Sequence, residues 1–242
     1  PLQHRLIALP AVWDEVRSVR IQAARLVAAY PRDQIGAERG AVVDRALEEY
    51  IQVQEFNAER PEAQINLAGL YNDLQRYTEA EQAFRTALQL QSRFVPAYIN
   101  FAQMLSDRGR ETEAGNLLET GLEEVPDSAD LYHALGLSRV RQKNTAEATE
   151  ALARAAELAP DNRRYRYVYG VALQSIGQPG EAVKVLQQAA ERFPNDPEIL
   201  FALVNFSREA GQNTVALRYA QELQGLFPGN PEIDALVRSL QP

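Results

Sequence analysis

The chain has no cysteine, one methionine, one tryptophan and two histidines among its 242 residues. Without cysteine there can be no disulfide, thiolate metal site, cysteine nucleophile or CxxCH haem attachment within it. His4 and His133 lie far apart in sequence, so neither a histidine-rich metal site nor a compact histidine-based catalytic centre is expected. No cofactor is expected. Positive charge is also scarce: 25 Lys and Arg face 33 Asp and Glu, for a formal net charge of −8. Such a chain repels phosphate backbones, which argues against nucleic acid as a partner. No apolar run approaches the roughly 18–20 residues needed to cross a bilayer, so membrane insertion is not expected. The opening PLQHRLIALPAVW starts at Pro1 and lacks a basic segment followed by a long apolar one. It does not read as a signal peptide, and the chain reads as a soluble fragment of a longer protein. GxxxxGK[ST], GxGxxG, HExxH and GxSxG are all missing. Carboxylate pairs such as Glu48-Glu49 and Glu123-Glu124 read as solvated helix faces or ends, and no enzyme is expected.

What the chain does have is a period. Pro126, Pro160, Pro194 and Pro228 stand 34 residues apart, as do Ala80, Ala114, Ala148, Ala182 and Ala216. Two further columns share that spacing: Ala68, Ala102, Gly136, Gly170 and Val204; and Leu67, Phe101, Leu135, Tyr169 and Leu203. Internal repetition at this length signals a helical repeat array. The units are 61–94, 95–128, 129–162, 163–196 and 197–230. Numbered 1–34 within each unit, small residues at positions 8 and 20 allow two helices to approach closely. Large ones at 7, 11 and 24 fill the space around them. Proline at 32 stops the second helix. Turn signals lie between the helices at Asp107-Arg108-Gly109, Gly177-Gln178-Pro179-Gly180 and Gly211-Gln212-Asn213. Thr78, Thr112 and Thr214 are the expected N-caps of second helices.

Over residues 61–230 this pattern resembles the tetratricopeptide repeat family. Position 24 reads Phe84, Leu118, Leu152, Leu186 and Ala220, and position 27 reads Ala87, Gly121, Ala155, Ala189 and Leu223. The last unit departs from the family with Val204 at position 8 and Leu223 at 27, which predicts a shifted helix packing; the first has Ser92 where proline is expected. The resemblance implies an all-α fold, a right-handed α-solenoid of stacked helix–turn–helix units with terminal capping helices. A unit of this kind cannot bury its apolar face alone, so stacking is obligatory.

Both ends read as caps. Residues 231–242 carry a C-terminal capping helix whose Ile233, Leu236, Val237 and Leu240 form one apolar stripe. Residues 31–60 form a linker and a degenerate repeat helix over 38–58, with Ala46, Tyr50 and Val53 at positions 20, 24 and 27. Residues 1–30 contain a helix over 11–29, bracketed by Pro10 and Pro31, that resembles the second helix of a HEAT-like repeat. Trp13 is expected there as a core anchor. The order of these segments is similar to the C-terminal tetratricopeptide region of bacterial multihaem cytochrome c-like proteins. That likeness implies a periplasmic location; without it the expected compartment is the cytoplasm. The family's haem motifs are absent, so no haem role passes to any residue here.

The segment Arg163–Tyr169 alternates basic and aromatic residues as single-strand binders do. The repeat frame instead makes Tyr169 a core residue at position 7, with Tyr165 one turn before it. In the family, positions 2, 5, 9 and 12 of first helices line a concave face. Here position 5 reads Ile65, Ile99, His133, Tyr167 and Phe201, an apolar-to-aromatic ladder. Position 9 contributes Gln103, Leu137, Val171 and Asn205, and position 12 contributes Val140, Gln174 and Arg208. Exposed ladders of this kind mark interaction surfaces. Their expected centre is His133, Tyr167 and Phe201, flanked by Leu137 and Val171. Chaperone-binding members of the family grip a terminal carboxylate with Lys and Asn at positions 5 and 9. This chain has Ile65, Gly69, Ile99 and Gln103 there, so chaperone tails are not expected ligands. The leading expectation is a non-catalytic scaffold that binds a peptide or protein segment in the groove. The alternatives are a homo-oligomerisation module, for instance a homodimer, and an accessory domain of a larger multihaem redox protein.

Overall fold

The computed structural model describes residues 6–241; His4 and Pro242 lie outside them. Among the described residues all regular structure is helical. A 3-10 helix over Leu6–Trp13 precedes α1 (Arg17–Val27), the short α2 (Arg32–Ile35) and α3 (Ala37–Phe56). Five helix pairs follow: α4 (Pro61–Asp73) and α5 (Tyr77–Leu90); α6 (Val95–Asp107) and α7 (Glu111–Glu124); α8 (Ala129–Arg141) and α9 (Thr145–Leu158). The last two pairs are α10 (Arg163–Ser175) with α11 (Pro179–Arg192), and α12 (Pro197–Glu209) with α13 (Asn213–Leu226); α14 (Pro231–Leu240) closes the series. This is the α-solenoid class of stacked helix–turn–helix units. The chain divides into two compact bodies, residues 1–110 and 111–242.

In the first body, Leu9, Val12, Ile21, Val27, Val43, Leu47 and Tyr50 form one core that also takes in Leu70 of α4. The N-terminal helices are therefore packed onto the first repeat. Phe84 and Phe101 stack with ring centroids 5.1 Å apart. Two local expectations fail here. The 11–29 helix is broken: its first part is 3-10, and Asp14 accepts a hydrogen bond from the Val16 N–H before α1 starts at Arg17. Trp13 ends that 3-10 helix with 48% of its surface exposed, so it is not a core anchor; Val12 beside it is buried instead.

In the second body, the largest core runs through Val183, Leu186, Ile199, Leu200, Leu203, Val204, Tyr219 and Leu223 to Ile233 and Val237 of α14. The repeat packing is set by paired volumes. A Cβ added to Gly136 would lie 2.6 Å from Leu152, and one added to Gly170 would lie 2.9 Å from Leu186. In the last unit the sizes are exchanged: Val204 stands at position 8 and Ala220 at 24, both fully buried. The small residue at 24 offsets the large one at 8, while Leu223 at position 27 is also fully buried.

Helix ends follow the 34-residue period closely. Second helices α7, α9, α11 and α13 stop two residues before their prolines. The helix α5 stops in the same register without one, so proline is not the sole terminator. Between the helices of each pair, Gln75, Gly109, Lys143, Gly177 and Gly211 adopt left-handed φ of 60–75°. The next N–H bonds back to Tyr71, Leu105, Arg139, Leu173 and Ser207 carbonyls, satisfying groups at the end of the first helix. Thr78, Thr112 and Thr214 are not caps: each lies one residue inside its helix, where a side chain cannot take the Ncap geometry. The side-chain caps sit instead on the following first helices, at Ser128, Asn162, Asp196 and Asn230, again 34 residues apart. Asn162 accepts from the Arg164 and Tyr165 N–H groups. Asn162→Ala should therefore lower stability by about 1 kcal/mol, while Asn162→Asp should be nearly neutral. Urea unfolding followed by circular dichroism measures both, and an unchanged alanine variant would contradict the cap.

Candidate functional site

The first helices carry the expected face, and each body presents its own part. In the second body, His133, Leu137 and Val140 follow one another along α8, Tyr167, Val171 and Gln174 along α10, and Phe201, Asn205 and Arg208 along α12. The spacings of three and four residues put each trio on one helix face. Val140, Val171 and Phe201 are 50%, 38% and 41% exposed, while Leu137, Tyr167 and Gln174 are half-buried. Tyr167 also packs against the core around Leu203, and burial raises its phenol pKa. Asn205 and Arg208, with Phe206, Glu209 and Asn213, line a cleft of about 640 Å³.

His133 breaks the ladder. It is only 8% exposed and stacks on Tyr165, ring centroids 4.4 Å apart, with neither ring nitrogen hydrogen-bonded. Tyr165 arrives from the next repeat and its hydroxyl donates a hydrogen bond to Asp130. The reason is volume: the aromatic ring of the following unit closes over position 5 of this one. Burial, helped by the nearby Arg164 and opposed by Asp130, pushes the imidazole pKa down to about 4. His133 is therefore a neutral packing group between repeats and not part of an exposed surface.

In the first body, Ile65 and Gln103 come together in a smaller cleft of about 280 Å³, shared with Gly69 and Asn72. Ile99 is half-buried on the same helix as Gln103. Sequence reasoning missed the other walls: Arg25, Asp73, Asn100 and Asp107. The Arg25 guanidinium reaches across from α1, pairs with Asp73, and lies 3.1 Å from where a Cβ on Gly69 would stand. A glycine at position 9 thus makes room for a side chain from outside the repeats. Gln103 donates to Asp107 at 2.7 Å.

A further cleft of about 530 Å³ in the second body is lined by Tyr132, Leu135 and Arg139 of α8 with Glu119, Glu147 and Glu150. Arg139 is largely buried and paired with Glu119 and Glu147. It stands at position 11, where Tyr71, Leu105, Leu173 and Ser207 stand elsewhere. That single charge in an uncharged column was the signal available in the sequence. Among the described residues, no group of His, Asp and Glu is arranged to hold a metal ion. No described helix is long and apolar enough to cross a membrane.

Stacked helix pairs that leave a partly apolar face open on their first helices define a class of protein-interaction scaffolds. The tetratricopeptide repeat profile matches residues 73–138 and 139–205, and a second tetratricopeptide profile matches 41–93; the chain belongs to the tetratricopeptide repeat family. The second match takes in α3, the degenerate helix. No curated protein sequence matches the chain. Among solved structures it is similar to PilW, a widely conserved type IV pilus biogenesis factor, with TM-score 0.59 and 18% identity over 97% of this chain and 99% of that one. It is also similar to YrrB, described as a TPR protein with an unusual peptide-binding site, with TM-score 0.58 and 21% identity over 78% and 97%. PilF of Pseudomonas aeruginosa gives TM-score 0.58 and 18% identity over 90% and 99%. At these identities the likeness is one of fold.

Proposed function

We propose that the protein binds a peptide or an exposed segment of another protein on the first-helix face, with Phe201 and Tyr167 as anchors. The observation that carries this reading is the stripe of Val140, Val171 and Phe201. Three large apolar side chains stand exposed on the same face of successive first helices. Exposed aromatic and aliphatic anchors beside half-buried neighbours are the usual source of binding energy at such surfaces. The fold neighbour YrrB, described as having a peptide-binding site, lends the reading support by analogy.

Phe201 is the residue to test, because its exposure allows truncation without damage to the core. Peptides selected on the wild-type protein from a displayed library should lose roughly 30-fold in affinity on Phe201→Ala, as expected for an anchor contributing about 2 kcal/mol. Thermal unfolding of the variant should be unchanged. Selected peptides that bind Phe201→Ala and Val171→Ala as tightly as the wild type would place binding elsewhere.

A further inference from the structure

We infer that the joint between the third and fourth units is an acid-sensitive latch. It opens on protonation of His133 and parts the apolar face between Val140 and Val171, while the units on either side stay folded. The latch does not need that face to be the binding surface; its effect on a ligand does.

The joint is held by little apolar burial. Its core is Ala155 and Ala156 of α9 with Tyr165 of α10. The fourth and fifth units and α14 share the larger core around Leu203. The rest of the joint is a clasp: Tyr165 lies against the His133 ring and donates a hydrogen bond to Asp130. Arg166 and Arg192 reach the connecting turn, at the Pro160 carbonyl and at Asp161, and not α8.

The imidazole has nothing to bond, since both ring nitrogens are buried without a partner. Neutral, it packs as a flat ring. Protonated, it would carry two donors with no acceptor in reach. The groups that face it are Tyr165 and Arg164 of α10 and Asp130 of its own helix. The buried side chains of α7 and α9 carry no charge. Burial and then Arg164 oppose protonation, Asp130 favours it, and the pKa settles at about 4. Burial and Asp130 push the Tyr165 phenol pKa up, so its hydroxyl stays a donor throughout this range.

An opened joint frees the imidazole to protonate at its ordinary 6.5. Opening is suppressed above about pH 6.5 and favoured as pH falls towards 4, by roughly 20-fold between pH 7 and 5. In a stacked array each unit leans on its neighbours alone, so one joint can give while the others hold. A ligand that spans Val140 and Val171 works the other way and keeps the joint shut.

The absence of cysteine supplies the reporter. Ala156→Cys places a thiol in this joint and Ala189→Cys one in the core around Leu203; both alanines are buried. Labelling of the whole chain by dithiodipyridine is timed at pH 7 and 5, each rate divided by that of the same variant in urea at that pH. The Ala156→Cys thiol should label roughly 20-fold faster at pH 5 and the Ala189→Cys thiol no faster. Adding His133→Phe should abolish the acceleration. Adding Tyr165→Phe, which keeps the ring but removes the bond to Asp130, should speed the joint thiol about five- to tenfold at both pH values. Equal acceleration of both thiols, none at the joint, acceleration that survives His133→Phe, or indifference to Tyr165→Phe would overturn the latch. A library-selected peptide at about 100 times its Kd should slow the joint thiol at least roughly tenfold. A peptide that binds through Phe201 without slowing it would overturn the link to the ligand and leave the latch standing.

Discussion

Gly136→Val should unfold about 3 kcal/mol more easily than the wild type, and Leu152→Ala should restore part of what it loses. The added side chain would begin 2.6 Å from the Leu152 Cγ and 3.3 Å from the Ala148 carbonyl oxygen. Leu152 is fully buried. Overpacking of this kind costs about 1–3 kcal/mol and sometimes more. Leu152→Ala alone should cost about 2–5 kcal/mol by leaving a cavity. Together the two changes reproduce the Val204 and Ala220 pairing of the last unit. Their combined cost should then fall short of the sum by about 1–3 kcal/mol, the size of coupling seen between contacting residues. Urea denaturation of the four proteins gives the coupling directly. Additive costs would mean that positions 8 and 24 do not compensate one another.

The second large effect is on acid stability. His133 has a pKa near 4 in the folded chain against an ordinary value of 6.5, mainly because it is buried. Between those values the unfolded chain binds more protons than the folded one, so stability is full above about pH 6.5. It is lost as pH falls towards 4 and then levels off. A shift of this size corresponds to about 3 kcal/mol. Many carboxylates titrate in the same window, so the wild type alone would not isolate the effect. His133→Phe keeps a ring on Tyr165 and removes the titration. The variant should match the wild type at pH 7 within about 1 kcal/mol and exceed it by about 3 kcal/mol at pH 4. An equal fall in both proteins would show that the imidazole is not the group responsible.

The fold was legible because its determinants recur. Proline and alanine columns place the helix pairs, and the apolar stripe Ile233, Leu236, Val237 and Leu240 identifies the last helix; Ile233 and Val237 are indeed buried. The threonines near the turns have the residue type of caps but lie inside their helices. The column Ser128, Asn162, Asp196 and Asn230 has the same period and was open to view. The N-terminal segment was harder, since it repeats nothing: neither the break after Trp13 nor the reach of Arg25 to Asp73 leaves a periodic trace. At the site, position within the unit predicted exposure for Val140, Val171 and Phe201. It failed for His133, because burial there depends on Tyr165, a residue of the next unit. A single-unit template carries no information about what its neighbour brings.

The paired volumes at positions 8 and 24 also bear on how such a gene can change. Both partners lie inside one stretch of 34 residues: Gly170 with Leu186, Val204 with Ala220. Duplicating or deleting a whole stretch copies or removes a matched pair, and the array can lengthen or shorten without a new clash. An unequal crossover between the two positions has a different outcome. Joining the first helix of the last unit to the second helix of the one before it would set Val204 against Leu186. In the first four units position 8 is always small and position 24 always large, so this constraint falls on crossovers that involve the last unit.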